Sequence, residues 1–287
     1  MVIKMSRKYA ILGESLKHTM SPPIHARLFE LRGREYQYEI VETTAGGLVQ
    51  KAEYLNSLSG YNITIPHKVE IIKYLDRLDE SAKRYNSVNC VDNKNGVLTG
   101  YNTDCDGFLH TVRAMGARLS GRVLLIGCGG VGRMIAIESA LAGADLNIAV
   151  LESDLPLAVQ AEKEIRAMKP DAEITIVIAD KIDDTKRYDL LVNACPVGMY
   201  PRVDGCPVAD GIIEASDAVF DLIYNPRETV LVRKAKSLGK KAAGGMAMLV
   251  WQAVSAHEIW DGDSYSDSEV QSIIEEMEDA VEKNFKL

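Results

Sequence analysis

The chain has 287 residues but no unbroken apolar run of the roughly 18 that a membrane-spanning helix needs. Its longest candidate, Met246 to Trp251, is stopped by Gln252. Cysteine is sparse: Cys90, Cys105, Cys128, Cys195 and Cys206 are odd in number, scattered, and form no C-x-x-C pair. That pattern argues for free thiols in a reducing compartment and against a structural zinc site. The histidines are equally scattered, none at a metal-ligand spacing from a cysteine or an acid, so no metal is expected. Positive charge is in deficit, with 33 lysines and arginines against 41 acids for a net −8. Nonspecific binding to nucleic acid or to an anionic membrane is therefore disfavoured. The start carries Lys4, Arg7 and Lys8, yet the apolar run Tyr9 to Leu12 is too short for a signal-peptide core. No repeat, low-complexity tract or long linker occurs. These absences imply a soluble cytoplasmic protein; small-molecule partners and a monomer or homodimer are expected.

What is present is ordinary globular material, 47% hydrophobic and 26% charged, sufficient for about two domains of roughly 150 residues. Lys8 to Gly13 reads as a buried strand. Ser21-Pro22-Pro23 reads as a helix N-cap with prolines in the first turn, the helix running through Leu31 to Gly33. Tyr36 to Ile40 alternates at period two, a strand with one face buried. A helix over Leu48 to Leu55, a strand at Gly60 to Ile63 and a helix over Lys68 to Leu75 follow. Asn95-Gly96 is a hairpin signal between Cys90–Asp92 and Gly96–Tyr101, and Asp106 to Met115 is expected to be helical. From Val123 the pattern changes. Strands at Val123–Ile126, Leu146–Leu151, Ile174–Ile178, Leu190–Val192 and Ala218–Asp221 alternate with helices at Val131–Leu141 and Pro156–Met168. Such alternation points to an α/β fold whose parallel sheet has helices on both faces. The tail is helical over Met246 to Trp260, then along the stripe Val270, Ile273, Ile274, Met277 and Val281.

Two places carry chemistry. Gly127-Cys128-Gly129-Gly130-Val131-Gly132 lies between a predicted strand and a predicted helix, where glycines let a pyrophosphate approach the helix N-terminus. Glu152 follows Gly132 by 20 residues, where an acid can bond an adenosine ribose 2′-hydroxyl and repel a 2′-phosphate. Asp154 is the weaker candidate for that role. In the first part of the chain, Asn62-Ile63-Thr64-Ile65-Pro66-His67-Lys68 runs from a strand into a predicted helix. That would hold Lys68 at the unfavourable positive end of a helix dipole. Gly100 to Asp104 follows the hairpin, and Asp104 reads as an N-cap.

Over its whole length the chain resembles the shikimate dehydrogenase family. His18-Thr19-Met20-Ser21-Pro22 is similar to that family's His-Ser-x-Ser-Pro, and Asn62 to Lys68 to its Asn-Val-Thr-x-Pro-x-Lys. Ser87-Val88-Asn89, Asn102-Thr103-Asp104 and Asn193-Ala194-Cys195-Pro196-Val197-Gly198-Met199 resemble its Ala-Val-Asn, Asn-Thr-Asp and Asn-Ala-Thr-Pro-x-Gly-Met. Asp221 to Pro226 and Gly245 to Gln252 complete seven segments in the family's order. The resemblance implies two domains: a discontinuous α/β substrate domain, 1–108 with 246–287 returning to it, and a Rossmann-type doubly wound parallel sheet over 109–245. It also implies reversible, NAD(P)-dependent reduction of 3-dehydroshikimate to shikimate, a step towards chorismate and the aromatic amino acids. Lys68 and Asp104 become the catalytic pair. Thr19 and Ser21 would hold the substrate carboxylate, with Tyr224 contributing, while Asn62, Thr64, Asn89 and Gln252 bond the ring hydroxyls. Gly127, Gly129, Gly130, Val131 and Gly132 would hold the dinucleotide, Leu222 and Gly245 its nicotinamide end, and Asn193 to Met199 the cleft wall.

Three departures stand out. Thr19 replaces a serine, adding a methyl group that favours a relative such as quinate. Cys195 replaces a threonine and removes a good hydrogen-bond donor. Leu151-Glu152-Ser153 stands where NADP-using members carry Asn-Arg-Thr, and the next basic residue is Lys163. NAD is therefore the expected cofactor, with NADP second. Competing readings are an enzyme acting mainly on quinate, one acting on an altered cyclohexene acid, and a non-catalytic dinucleotide sensor. Lys68 and Asp104 argue against the sensor, which has no use for a proton donor.

Overall fold

A computed structural model describes residues 7–284; Lys4 of the basic start lies outside them. The chain divides into two compact units, Met1–Gly107 with Leu249–Ile273 and Phe108–Met248 with Ile274–Leu287.

In the first unit, β1 (Arg7–Gly13) leads to α1 (Ser21–Leu31), β2 (Tyr36–Glu42), α2 (Leu48–Asn56) and β3 (Gly60–Ile63). β4 (Arg77–Leu78), α3 (Glu80–Tyr85), β5 (Cys90–Lys94) and β6 (Val97–Tyr101) follow. They form one mixed sheet in the order β2-β1-β3-β5-β6-β4. Tyr9, Ala10, Ile11 and Leu12 of β1 are all at most 4% exposed, as a strand covered on both faces requires. One face packs on Leu48, Leu55, Ile71 and Ala82. On the other, Tyr9 meets Phe29 at 5.0 Å and Trp260 at 4.6 Å, and the Trp260 indole donates to the Val91 carbonyl at 2.9 Å. Each aromatic contact adds about 0.5–1.5 kcal/mol beyond the area it buries.

α4 (Asp104–Ala114) leads into the second unit, which continues through β7 (Arg122–Ile126), α5 (Gly130–Leu141), β8 (Asp145–Val150), α6 (Leu155–Met168) and β9 (Glu173–Ile178). β10 (Leu190–Asn193), α7 (Asp210–Glu214), β11 (Ala218–Asp221), α8 (Val230–Ser237) and β12 (Lys241–Ala243) complete it. The sheet order is β12-β11-β10-β7-β8-β9 with every pair parallel, a doubly wound arrangement whose order reverses between β7 and β10. α9 (Met246–Asp261) and α10 (Asp267–Asn284) end the chain, and the α10 stripe is buried at Val270, Ile273, Ile274, Met277 and Val281. Among the described residues no helix is long and apolar enough to cross a membrane.

Several expectations are corrected. Met20, not Ser21, is the N-cap of α1, and Ser21 is its first residue, although the prolines do occupy the first turn. The helix expected over Lys68 to Leu75 is only a 3-10 turn, Glu70–Tyr74. An α-helix would need the Lys68 carbonyl to accept from Ile72, but Val88 donates to it at 2.8 Å and Ile72 bonds Val69 instead. The dipole argument for Lys68 goes with that helix. Asp104 is the first residue of α4; the Thr103 carbonyl accepts the first helical bond, from Gly107 at 3.0 Å. The one-face pattern of β2 breaks at Ile40, which is 52% exposed on this edge strand. The hairpin is as expected, with Asn95 and Gly96 both at positive φ.

Candidate active site

Lys68 lies in the turn beyond β3, and its Nζ is 2.6 Å from Asp104 Oδ2 at the start of α4. The two side chains are only 21% and 13% exposed, so their attraction is less screened than that of a surface pair. Asn89, just before β5, braces the carboxylate. Its Nδ2 stands 3.0 Å from Asp104 Oδ1, 2.8 Å from Gln252 Oε1 and 3.0 Å from Thr103 Oγ1. Two amide hydrogens cannot serve three acceptors. The Thr103 hydroxyl, 3.3 Å from Asn89 Oδ1, can donate there instead, leaving one hydrogen each for Asp104 and Gln252. Asn89 Oδ1 also accepts from the Thr103 amide at 2.7 Å. Each Asp104 oxygen thus has its own donor, and the carboxylate cannot turn away from Lys68.

Apart from Tyr224, the other expected substrate residues occupy the same unit. Thr19 Oγ1 accepts from the Ser21 amide at 3.3 Å, so its own proton remains to be given. Ser21 is 7% exposed and is the first residue of α1. Asn62 accepts from the Tyr38 hydroxyl through Oδ1 at 2.8 Å, while its Nδ2 is buried without a partner. A buried donor of that kind is costly until a ligand satisfies it. Thr64 is fixed through its backbone, which donates to Leu12 at 2.8 Å and accepts from His67 at 3.0 Å. Gln252 has its carbonyl on Asn89, which leaves its amide hydrogens for a ligand. Asn89 has spent both ends internally and acts first as a brace.

In the second unit the glycine loop joins β7 to α5 at the point where the strand order reverses. Gly127 has φ +88°, which only glycine adopts without strain. A Cβ on Gly132 would stand 2.6 Å from the Gly127 carbonyl, so the helix packs against the loop only because that atom is missing. At Gly129 and Gly130 a Cβ would meet nothing within 4 Å. Gly129 is the N-cap and supplies no side-chain acceptor to the first amides of α5. Open space in front of unsatisfied amides suits a pyrophosphate, so the residues present fit a dinucleotide. Val131 follows in the first turn. Glu152 opens the short 3-10 turn after β8, is exposed, and pairs with no cation among the described residues. Asn193 is consumed internally, its Nδ2 donating to Asp221 at 3.0 Å and its Oδ1 accepting from Cys195 N at 3.1 Å. Met199 is 46% exposed, Leu222 donates its amide to the Asn193 carbonyl at 3.0 Å, and Gly245 donates to Ile223 at 2.9 Å. Tyr224 lies two residues beyond Leu222, its phenol raised in pKa by burial.

Sequence reasoning missed Tyr38, Thr103 and the buried Asp221. Asp221 accepts from Thr229 at 2.6 Å and from the Ile223 amide at 3.1 Å. Thr103 sat inside a recognised segment and could have been found as the neighbour of Asp104; Tyr38 carried no local signal. A further correction concerns metal spacing. His257, Asp261 and Asp263 bring ligand atoms within 4.8 Å of one another. Arg7 and Arg34 hold the two carboxylates, and both His257 nitrogens are bonded, to His25 and Tyr265.

A Rossmann-type sheet joined in one chain to a braced lysine–carboxylate couple defines an oxidoreductase acting on a CH–OH group. Residues 11–91 match the family described as shikimate dehydrogenase substrate binding domain. A shikimate dehydrogenase (NADP(+)) of Caldanaerobacter subterraneus subsp. tengcongensis is 32% identical over 91% of this chain and 93% of its own length. The Listeria monocytogenes shikimate 5-dehydrogenase, solved with shikimate and NAD, superposes with TM-score 0.84 at 27% identity, covering 95% of this chain and 96% of its own. Quinate dehydrogenase of Corynebacterium glutamicum, solved with NAD, gives 0.82 at 28% identity over 95% and 98%. The chain belongs to the shikimate dehydrogenase family.

Proposed function

We propose that the protein reduces 3-dehydroshikimate to shikimate reversibly, on the route to chorismate and the aromatic amino acids, and that it prefers NAD to NADP. The substrate is assigned to 1–108 with 246–287, and the dinucleotide to 109–245. The observation that carries the activity is the 2.6 Å Lys68–Asp104 contact braced by Asn89. When bound, the cofactor supplies the hydride in reduction and takes it in oxidation. As negative charge gathers on the substrate carbonyl oxygen, Lys68 Nζ gives it a proton, and it takes that proton back in the reverse direction. Asp104 aims Nζ and balances its charge. Thr19, Ser21 and Tyr224 hold the carboxylate with neutral hydroxyls. Asn62 and Thr64 bond ring hydroxyls, as do Gln252 and, through it, Asn89. The NAD preference rests on Glu152, exposed and without a cation partner among the described residues, in the segment where the resemblance would place an arginine for NADP; the curated relatives are named for NADP(+). Thr19 and the likeness to a quinate dehydrogenase favour quinate as a second substrate.

Initial rates for shikimate and quinate, each with NAD and with NADP, test the whole reading. Shikimate with NAD is expected to give the highest kcat/KM; no turnover of either acid with either cofactor would remove the assignment. Ser21→Ala tests the carboxylate contact. Losing a hydrogen bond to a charged group costs about 1.5–3 kcal/mol, so KM for shikimate should rise roughly ten- to hundredfold, with kcat changed less. An unchanged KM would leave Ser21 as no more than the first residue of α1.

A further inference from the structure

Tyr38 stands on edge strand β2, opposite Tyr9 of β1, while Asn62 stands on β3 opposite Ile11. The phenol therefore reaches past β1 to meet Asn62 Oδ1 at 2.8 Å. Behind it the His25 ring is stacked on Tyr38, centroids 4.5 Å apart and planes 15° from parallel. His25 Nδ1 is 3.1 Å from His257 Nε2, and His257 Nδ1 is 3.1 Å from the Tyr265 hydroxyl, which donates to the Leu28 carbonyl at 3.1 Å. Proton counting fixes this chain. The single Tyr265 proton goes to Leu28, so His257 Nδ1–H donates to Tyr265 and His257 Nε2 accepts from His25 Nδ1–H. Burial pulls both imidazoles down, His257 to about 3, so both are neutral as the counting requires. Burial likewise pushes the Tyr38 phenol well up, and it keeps its proton. At the other end, Asn62 Nδ2 is buried and unpartnered.

We infer that Tyr38 is a positioning residue for substrate: by holding the Oδ1 end of Asn62 it presents the Nδ2 end as a donor to a ring hydroxyl. The inference rests on the proposed contact between Asn62 and substrate. Without the phenol hydroxyl, the two orientations of the amide lose their distinction, and an acceptor faces the ligand part of the time.

The test is a double-mutant cycle in the full-length enzyme, using Tyr38→Phe, Asn62→Ala and the pair, with KM for shikimate, KM for cofactor and thermal unfolding measured for each. Phenylalanine keeps the ring stacked on His25. Tyr38→Phe should raise KM for shikimate about three- to tenfold, with kcat, cofactor KM and unfolding temperature little changed. The double variant should be no worse than Asn62→Ala alone. If Asn62→Ala raises KM but Tyr38→Phe does not, or the two effects multiply, the positioning role is overturned while the Asn62 contact stands. If Asn62→Ala leaves KM unchanged, the contact itself is wrong and the inference falls with it. A Tyr38→Phe variant that weakens cofactor binding and unfolds earlier would make the phenol merely structural.

Discussion

Lys68→Ala is expected to lower kcat for shikimate oxidation by about 10²- to 10⁴-fold, the usual contribution of a positioned acid or base. KM for the cofactor should stay near that of the unmodified enzyme. The geometry separates the two effects. Asp104 keeps its hydrogen bond from Asn89 at 3.0 Å when Lys68 is gone, so the carboxylate holds its place and what is lost is the proton carrier. The glycine loop belongs to the other unit and to other residues. Single-turnover rates measured at saturating cofactor would check this directly. A variant retaining most of its turnover would show that Lys68 is only a partner for Asp104.

Cofactor choice should respond almost as strongly to two residues. In the unmodified protein, kcat/KM with NAD should exceed that with NADP by at least about tenfold, and up to about two decades. The 2′-phosphate brings about two negative charges against the Glu152 carboxylate and replaces the hydroxyl it would bond, a difference of a few kcal/mol. Glu152→Arg combined with Leu151→Asn should narrow or invert the ratio. Remaining NADP activity should vary with ionic strength more than NAD activity does, because the interaction is Coulombic. Equal or better efficiency with NADP before any substitution would mean that Glu152 points away from the ribose.

How far the site could be seen in advance depended on distance along the chain. The glycine loop is one turn between a strand and a helix, and its residues announce themselves by spacing. Lys68 and Asp104 were visible because each sits in a recognisable short segment, although the helix expected at Lys68 was wrong. That error has a definite cause: the Lys68 carbonyl is taken by Val88, a partner no local propensity reports. The same holds for the Tyr38–Asn62 bond, spanning 24 residues, and for Asn89–Gln252, spanning 163. β4 and β12 are two and three residues long and carry too little apolar pattern to be seen. In the second unit β7 and β10 carry the continuous apolar runs Val123–Ile126 and Leu190–Val192, β8 is interrupted only by Asn147, and alternation with helices was enough to read the parallel sheet.

The Trp260 indole bonded to Val91 closes a separation of 169 residues, and it completes the aromatic face behind β1. At ribosomal rates of roughly 5–20 residues per second, β5 emerges some ten to thirty seconds before the tryptophan that covers it. Throughout that interval Tyr9, Phe29 and Cys90 lack their lid. Most of the other unit, Phe108–Met248, is meanwhile made in one stretch. The unit begun first therefore waits through the synthesis of Phe108–Met248 before it can close, and during elongation its bare aromatic face is the surface a chaperone would have to shield.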